Sequence, residues 1–184
     1  AATPLFPNAP RQRDFLRRLQ PLLANQPWLA ALWLTGSPAQ ARADRWSSVD
    51  LHCLVISGQD AVLMEEHLAG VLAAGLPDGW TRFGGQGTEQ EGWLEGFSHT
   101  RQIQAGSQGA VYFRFDWCTA ECLAAHLARH GPLRLLWAGA DLPEGTRALL
   151  ARSLPHWRPA ESAKVLAALT GFWQQLARLP AVIN

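Results

Sequence analysis

Two short apolar runs joined by a polar loop constrain this chain most. The first, Leu29 to Leu34, ends at Thr35-Gly36-Ser37. The second, Val49 to Ile56, alternates in character, with Val49, Leu51, Cys53 and Val55 on one side of a strand. Asp50, His52 and Leu54 then point the other way, because side chains alternate across a strand. One face of this strand can join a core while the other presents a carboxylate and an imidazole. Pro38 to Arg45 between the runs is small and polar, suited to a loop or one helical turn.

The flanking segments predict a mixed fold. Apolar residues at Phe15, Leu16, Leu19, Leu22 and Leu23 give residues 10–24 helical spacing, with Pro21 expected to kink or restart the helix. Residues 60–74 read as a helix stopped by Gly75. Trp80 to His99 is glycine-rich and predicts only short strand fragments. Arg101 to Ala105 and Ala110 to Trp117 read as a hairpin around Gly106-Ser107-Gln108-Gly109. Thr119 is placed to cap a helix running to Arg129 and ended by Gly131. Leu133 to Trp137 is a further strand, and Pro143 to Arg152 and Pro159 to Leu179 are helical. The expected class is α/β or α+β, with a mixed central sheet flanked by helices and not a regular βαβ array.

Composition narrows the function. The 184 residues are 48% hydrophobic and 17% charged, enough for a substantial core. A net charge of +1 gives no basis for broad capture of nucleic acid. No apolar run approaches the roughly 20 residues that span a bilayer. Ala1 to Pro10 lacks the pattern of a signal peptide. Three cysteines without framework spacing suit a reducing cytosol, so a cytoplasmic location is expected.

The carboxylates carry the sharpest chemical reading. Phosphoryl chemistry on two metal ions needs hard oxygen ligands, and magnesium takes carboxylates, phosphates and water. Two acids one residue apart on a strand share a face, and a third acid on a neighbouring strand completes a cradle. A Gly-Ser turn just upstream lets backbone approach phosphate and adds a hydroxyl. Gly36-Ser37, then Trp46-Ser47-Ser48-Val49-Asp50-Leu51, then Arg114-Phe115-Asp116 follow that order.

These motifs resemble the nucleotidyltransferase superfamily, in its aminoglycoside adenylyltransferase branch. The resemblance implies that Gly36, Ser37 and Ser48 lie at a nucleotide triphosphate. It also implies that Asp50 and Asp116 are catalytic and hold Mg2+, with Asp116 activating an acceptor hydroxyl. ATP would donate AMP to a small molecule. The sequence departs from the family at Ser48, which occupies the place of the first metal-binding aspartate. In a second register Asp50 is the first acid and His52 the second, and each register leaves one carboxylate missing. Asp44 is a loop residue that would have to swing in to replace it. Gly131 to Trp137 is similar to a later strand of the family, with Trp137 where an acid often stands. Phe172 to Leu176 is similar to the start of the family's helical domain. Residues 1–157 would then be the nucleotidyltransferase-like domain, and 158–184 a C-terminal helix that is the remnant or start of a second domain. The acceptor site would be incomplete, or completed by the other subunit of a homodimer. Three functions stay open: an adenylyltransferase with an impaired metal site, a pseudoenzyme that kept the fold as a binding or regulatory module, or, if Gly36-Ser37 lies far from Asp50 and Asp116, a structural or interaction domain unrelated to nucleotides. The expected partners are a nucleotide and a small acceptor, with neither nucleic acid nor membrane.

Other features read more plainly. Cys118, Cys122, His126 and His130 recur every four residues, but such steps drift around a helix and no second ligand pair stands out. Core packing is the expectation for the cysteines, with zinc the lesser reading. Gly84-Gly85-Gln86-Gly87 lacks a following lysine and reads as a flexible loop near the cleft. Arg11, Arg13, Arg17 and Arg18 read as a solvated helix face. His67 and His99 are assigned no role.

Overall fold

The computed structural model describes residues 5–6, 8–40, 42–56, 61–99 and 110–152. Its elements are α1 (Pro10–Ala24), β1 (Leu29–Leu34), α2 (Gly36–Ala39), β2 (Val49–Val55), α3 (Ala61–Gly75), β3 (Trp80–Gly87), β4 (Glu91–Ser98), β5 (Tyr112–Cys118), α4 (Leu123–His130), β6 (Arg134–Ala138) and α5 (Glu144–Arg152). The strands form one sheet in the order β3-β4-β5-β2-β1-β6. β2 and β5 run parallel at its centre, and the other neighbours are antiparallel. The chain is thus a mixed α+β protein.

Period-two alternation sorts the residues into layers. Val49, Leu51, Cys53 and Val55 of β2 face the same core as Phe113, Phe115 and Trp117 of β5. Phe15, Leu16, Leu19 and Leu23 of α1 and Met64, Leu68 and Leu72 of α3 cover them. A smaller core on the opposite face joins Ala31, Trp33, Leu54 and Cys118 to Leu123 and Leu127 of α4 and Leu150 of α5. α4 and α5 pack over one end of that face. The rest of it carries the polar residues of β2, β4 and β5.

Several expectations change. Pro21 lies inside an unbroken α1. Pro21 and Arg17, whose carbonyl loses its partner, both face solvent, where water serves it. The glycine-rich 80–99 region is a full hairpin of two eight-residue strands, not fragments. Gly92 lets the backbone pass under an aromatic, since a Cβ there would sit 2.3 Å from Trp117 Cζ2. Gly84 to Gly87 therefore belong to β3 and do not form a free loop. The partner of β5 on this side is β4, and segment 101–109 lies outside the described residues. Helix α4 starts at Leu123 after a turn in which Cys122 N–H donates to the Thr119 carbonyl, so Thr119 is not its cap. Gly131 ends it as expected, at φ +72. The helix expected at 159–179 and the 158–184 segment lie outside the described residues.

Candidate functional site

The loop between β1 and β2 is fixed from below by helix α1. Gln12, buried on α1, donates from Nε2 to the carbonyls of Arg45 and Ser47, both at 3.0 Å. Within the loop, Ser47 Oγ donates to Asp44 Oδ1 at 3.0 Å and accepts from Ser37 Oγ at 3.1 Å. Asp44 also accepts from the Trp46 N–H at 2.9 Å, and this bond, the largest cause, lowers its carboxyl below the ordinary range. Asp44 is thus committed to its own turn, away from Asp50 and Asp116 in its hydrogen bonding. Trp46 is exposed, with the Arg45 guanidinium 4.9 Å from its ring centre.

Gly36 closes the approach of this loop to β2. Its φ is +69, and a Cβ there would lie 3.1 Å from Asp50 Oδ2. The Thr35 N–H donates to the Asp50 carbonyl at 3.1 Å. Ser48 Oγ donates to Asp50 Oδ2 at 2.9 Å, so the serine hydroxyl is held by that carboxylate. Burial raises the Asp50 carboxyl above its ordinary value. The Ser48 bond opposes that shift, and nearby Asp116 adds to it.

The parallel register places Asp50 across from Arg114 and His52 across from Asp116. Asp50 and Asp116 therefore share a face on neighbouring strands, as the sequence predicts. What the sequence does not reveal is the state of Asp116. Arg114, two residues earlier on the same strand, donates from Nε to Asp116 Oδ2 at 2.8 Å and from Nη2 to Oδ1 at 3.0 Å. The same guanidinium lies 4.5 Å from the Trp93 ring centre and 3.8 Å from Glu95 Oε2. Glu95 in turn accepts a short bond from the Tyr112 hydroxyl, and burial followed by that bond pushes the phenol up to about 12.

Beside this network lies an imidazole cluster. His52 Nε2 is 2.8 Å from Thr35 Oγ1, and His52 Nδ1 is 2.8 Å from His126 Nε2. Trp33 stacks on His52 at 5.7 Å and 14°. His130, one turn after His126, lies 4.7 Å from the His52 ring and 4.4 Å from the His126 ring, centre to centre. Burial lowers all three imidazoles, His126 to about 4 and His52 well below its ordinary value. His126 and His130, for which the sequence offers no second ligand pair, thus meet a third histidine from another element. The signal was on the page in two halves: His52 faces the acid side of its strand, and His126 and His130 share a helical face. Only tertiary packing joins them. Cys118 of the same series is a core residue, and Cys122 donates to Gln90 instead.

A cleft of about 500 Å³ opens along this face. Gln86, Trp93, Arg114, Asp116, His126 and His130 are among its walls. Of the tryptophans, Trp93 lines the cleft, Trp33 is buried beneath His52 and Trp80 packs against the main core. Of the remaining histidines, His67 stacks on Trp28 and His99 bonds Thr81, away from the cleft. Among the described Arg11, Arg13, Arg17 and Arg18, only Arg11 is half-buried, consistent with a solvated face.

The donor set does not fit a pair of magnesium ions. It consists of a serine hydroxyl already bonded to Asp50, a single carboxylate whose charged form burial disfavours, and a second carboxylate paired with arginine through both oxygens. Magnesium needs hard, ionised oxygens free to point at the ion. No protein-family model and no curated protein matches this sequence.

Proposed function

We propose that this chain has a nucleotidyltransferase-type fold and uses its cleft to bind a small molecule, without transferring a nucleotide. Supporting the fold half of this reading, a strand followed by Gly36-Ser37 leads to an antiparallel strand bearing Asp50. A parallel neighbour carries Asp116 on the same face. Gly36 packs against the Asp50 carboxylate, where the family's phosphate-side loop would lie.

The observation that carries the binding half is the bidentate Arg114–Asp116 pair. AMP transfer from ATP would need Asp116 ionised and free, to hold a metal and to accept the acceptor's hydroxyl proton. In this chain the guanidinium neutralises that carboxylate and takes both its oxygens. With Ser48 in place of an acid, the site keeps two carboxylates and has one of them spent. The opposite reading, a working adenylyltransferase, requires Arg114 to leave Asp116 when ligand enters.

Calorimetric titration with ATP and Mg2+ tests this on wild type, Ser48→Asp and Ser48→Asp/Arg114→Gln. Wild type is expected to give no Mg2+-dependent binding, and the double variant to gain it. Mg2+-dependent ATP binding by wild type, followed by adenylylation of any hydroxyl acceptor, would reverse the reading in favour of the enzyme. Absence of binding in all three proteins withdraws the nucleotide-derived fold reading as well.

A further inference from the structure

We propose that His52, His126 and His130 form a binding site for one divalent transition-metal ion of the zinc class, with a fourth position facing the cleft. The site rests on the imidazole geometry and is independent of the reading of the fold.

One ligand nitrogen from each histidine lies within 4.8 Å of the other two. A tetrahedral ion with Zn–N bonds of about 2.05 Å sets its nitrogens about 3.3 Å apart. His52 Nδ1 and His126 Nε2, now at 2.8 Å, need open by only about 0.5 Å to admit it. The i, i+4 pair of α4 supplies two ligands from one face, and β2 supplies the third.

The outer partners are those that such a site needs. A metal-bound histidine donates its other N–H to a fixed acceptor, which sets the tautomer. Thr35 Oγ1, buried at the end of β1, lies 2.8 Å from His52 Nε2. With the proton on Nε2, Nδ1 turns its lone pair toward His126. The Trp33 face holds the ring plane. A metal takes each imidazole through a free nitrogen lone pair, the one that faces the other two rings.

Charge points the same way. Around the histidines stand the carboxylates of Asp50, Glu91 and Asp116, against the guanidiniums of Arg114 and Arg129. These groups leave an excess of negative charge that favours a cation. Three nitrogens and no thiolate favour zinc, cobalt, nickel or copper over magnesium or calcium. His126 and His130 border the cleft, so the fourth position is open to water or to a ligand.

The test is titration of untagged, chelator-treated protein with Zn2+ and with Co2+ at neutral pH, read by calorimetry and by the cobalt visible spectrum. One ion per chain, bound at micromolar affinity or tighter with a tetrahedral cobalt spectrum, is expected. His130→Gln should weaken binding at least tenfold, and it is the safest variant for folding because His130 is only half-buried at a helix end. Thr35→Val, which keeps the shape and removes the acceptor, should weaken it about 10–100-fold. Binding that is unaltered by His130→Gln and His126→Gln, or lost on Cys122→Ser, overturns the assignment. So does a wild type that, with native circular dichroism, takes up no ion.

Discussion

Arg114 and Asp116 bind each other along a single strand, with two parallel hydrogen bonds between residues separated by one position. Side chains at i and i+2 share a face, and the arginine folds back to reach its neighbour. Trp93 of the adjacent strand supports the guanidinium from beneath. Asp116 is 4% exposed, and Arg114 is the cation that pairs with it. Arg114→Leu strands that carboxylate, and Glu95 loses its cation too. The expected loss of stability is about 2–3 kcal/mol, the cost of leaving a buried charged group unpaired, reduced because Arg114 is itself part-exposed. Urea denaturation at neutral pH measures it. A loss below about 0.5 kcal/mol, the size of an ordinary surface change, would mean that Asp116 is not held as described.

Gly36 is the residue whose backbone least tolerates change. A φ of +69 places it in the left-handed region, and the Asp50 carboxylate stands where a Cβ would enter. Gly36→Ala should cost about 1–2 kcal/mol for the backbone alone. The added methyl also pushes on the Ser48–Asp50 hydrogen bond. Thermal unfolding of Gly36→Ala beside Ser37→Ala separates the two residues. Ser37 loses only one hydroxyl bond, so its variant should be the milder. Equal effects would argue against strain at Gly36.

The loop that carries Ser47 and Ser48 depends on a residue far away in sequence. Gln12 joins α1 to two loop carbonyls, and these bonds span more than thirty residues. Gln12→Leu leaves both carbonyls short of a donor, for an expected cost of about 1–3 kcal/mol. The effect should be local as well as global. Amide hydrogen exchange across residues 42–48 should speed up more than exchange in α3, and uniform protection across both would show that Gln12 does not anchor the loop.

Much of this was legible before folding. The two faces of β2 follow from strict alternation between Val49 and Val55, and the apolar stripe of α1 from 3.6-residue spacing. The shared face of Asp50 and Asp116 needed only strand geometry plus a guess that the strands are neighbours. The rest depended on contacts without a local signature. Gly84 reads as loop and Gly92 and Gly96 as interruptions between strand fragments, yet all three sit in full strands, where aromatic rings or backbone occupy the space a Cβ would need. Arg114 read as a neighbour in an aromatic strand, and its grip on Asp116 is a rotamer choice that no periodicity encodes. His52 and His126 are 74 residues apart, and only the packing of α4 over β2 brings their rings to a 2.8 Å contact.

Burial of these rings gives the protein a pH dependence of definite sign. Burial, the largest cause, and the neighbouring His130 lower the His126 imidazole from 6.5 to about 4, with Asp116 opposing. Arg129 acts with the lowering and Glu91 against it. His52 and His130 are lowered as well. Below pH 6.5 the unfolded chain takes up these protons and the folded chain refuses them, so stability falls as acid is added. The His126 contribution is complete above pH 6.5, declines between about 6.5 and 4, and is flat below. Its full size is on the order of 3 kcal/mol. Asp50, raised in the folded state, works in the opposite direction, because protonation relieves its buried charge at the lower end of this range. Comparing wild type with His126→Gln in the presence of chelator isolates the histidine. The variant should lose less stability between pH 7 and pH 4.5, and added Zn2+ should steepen the wild-type curve by raising stability only where the imidazoles are unprotonated. Parallel curves for the two proteins would show that His126 takes up its proton equally well in both states, and that the imidazole cluster is not closed to water.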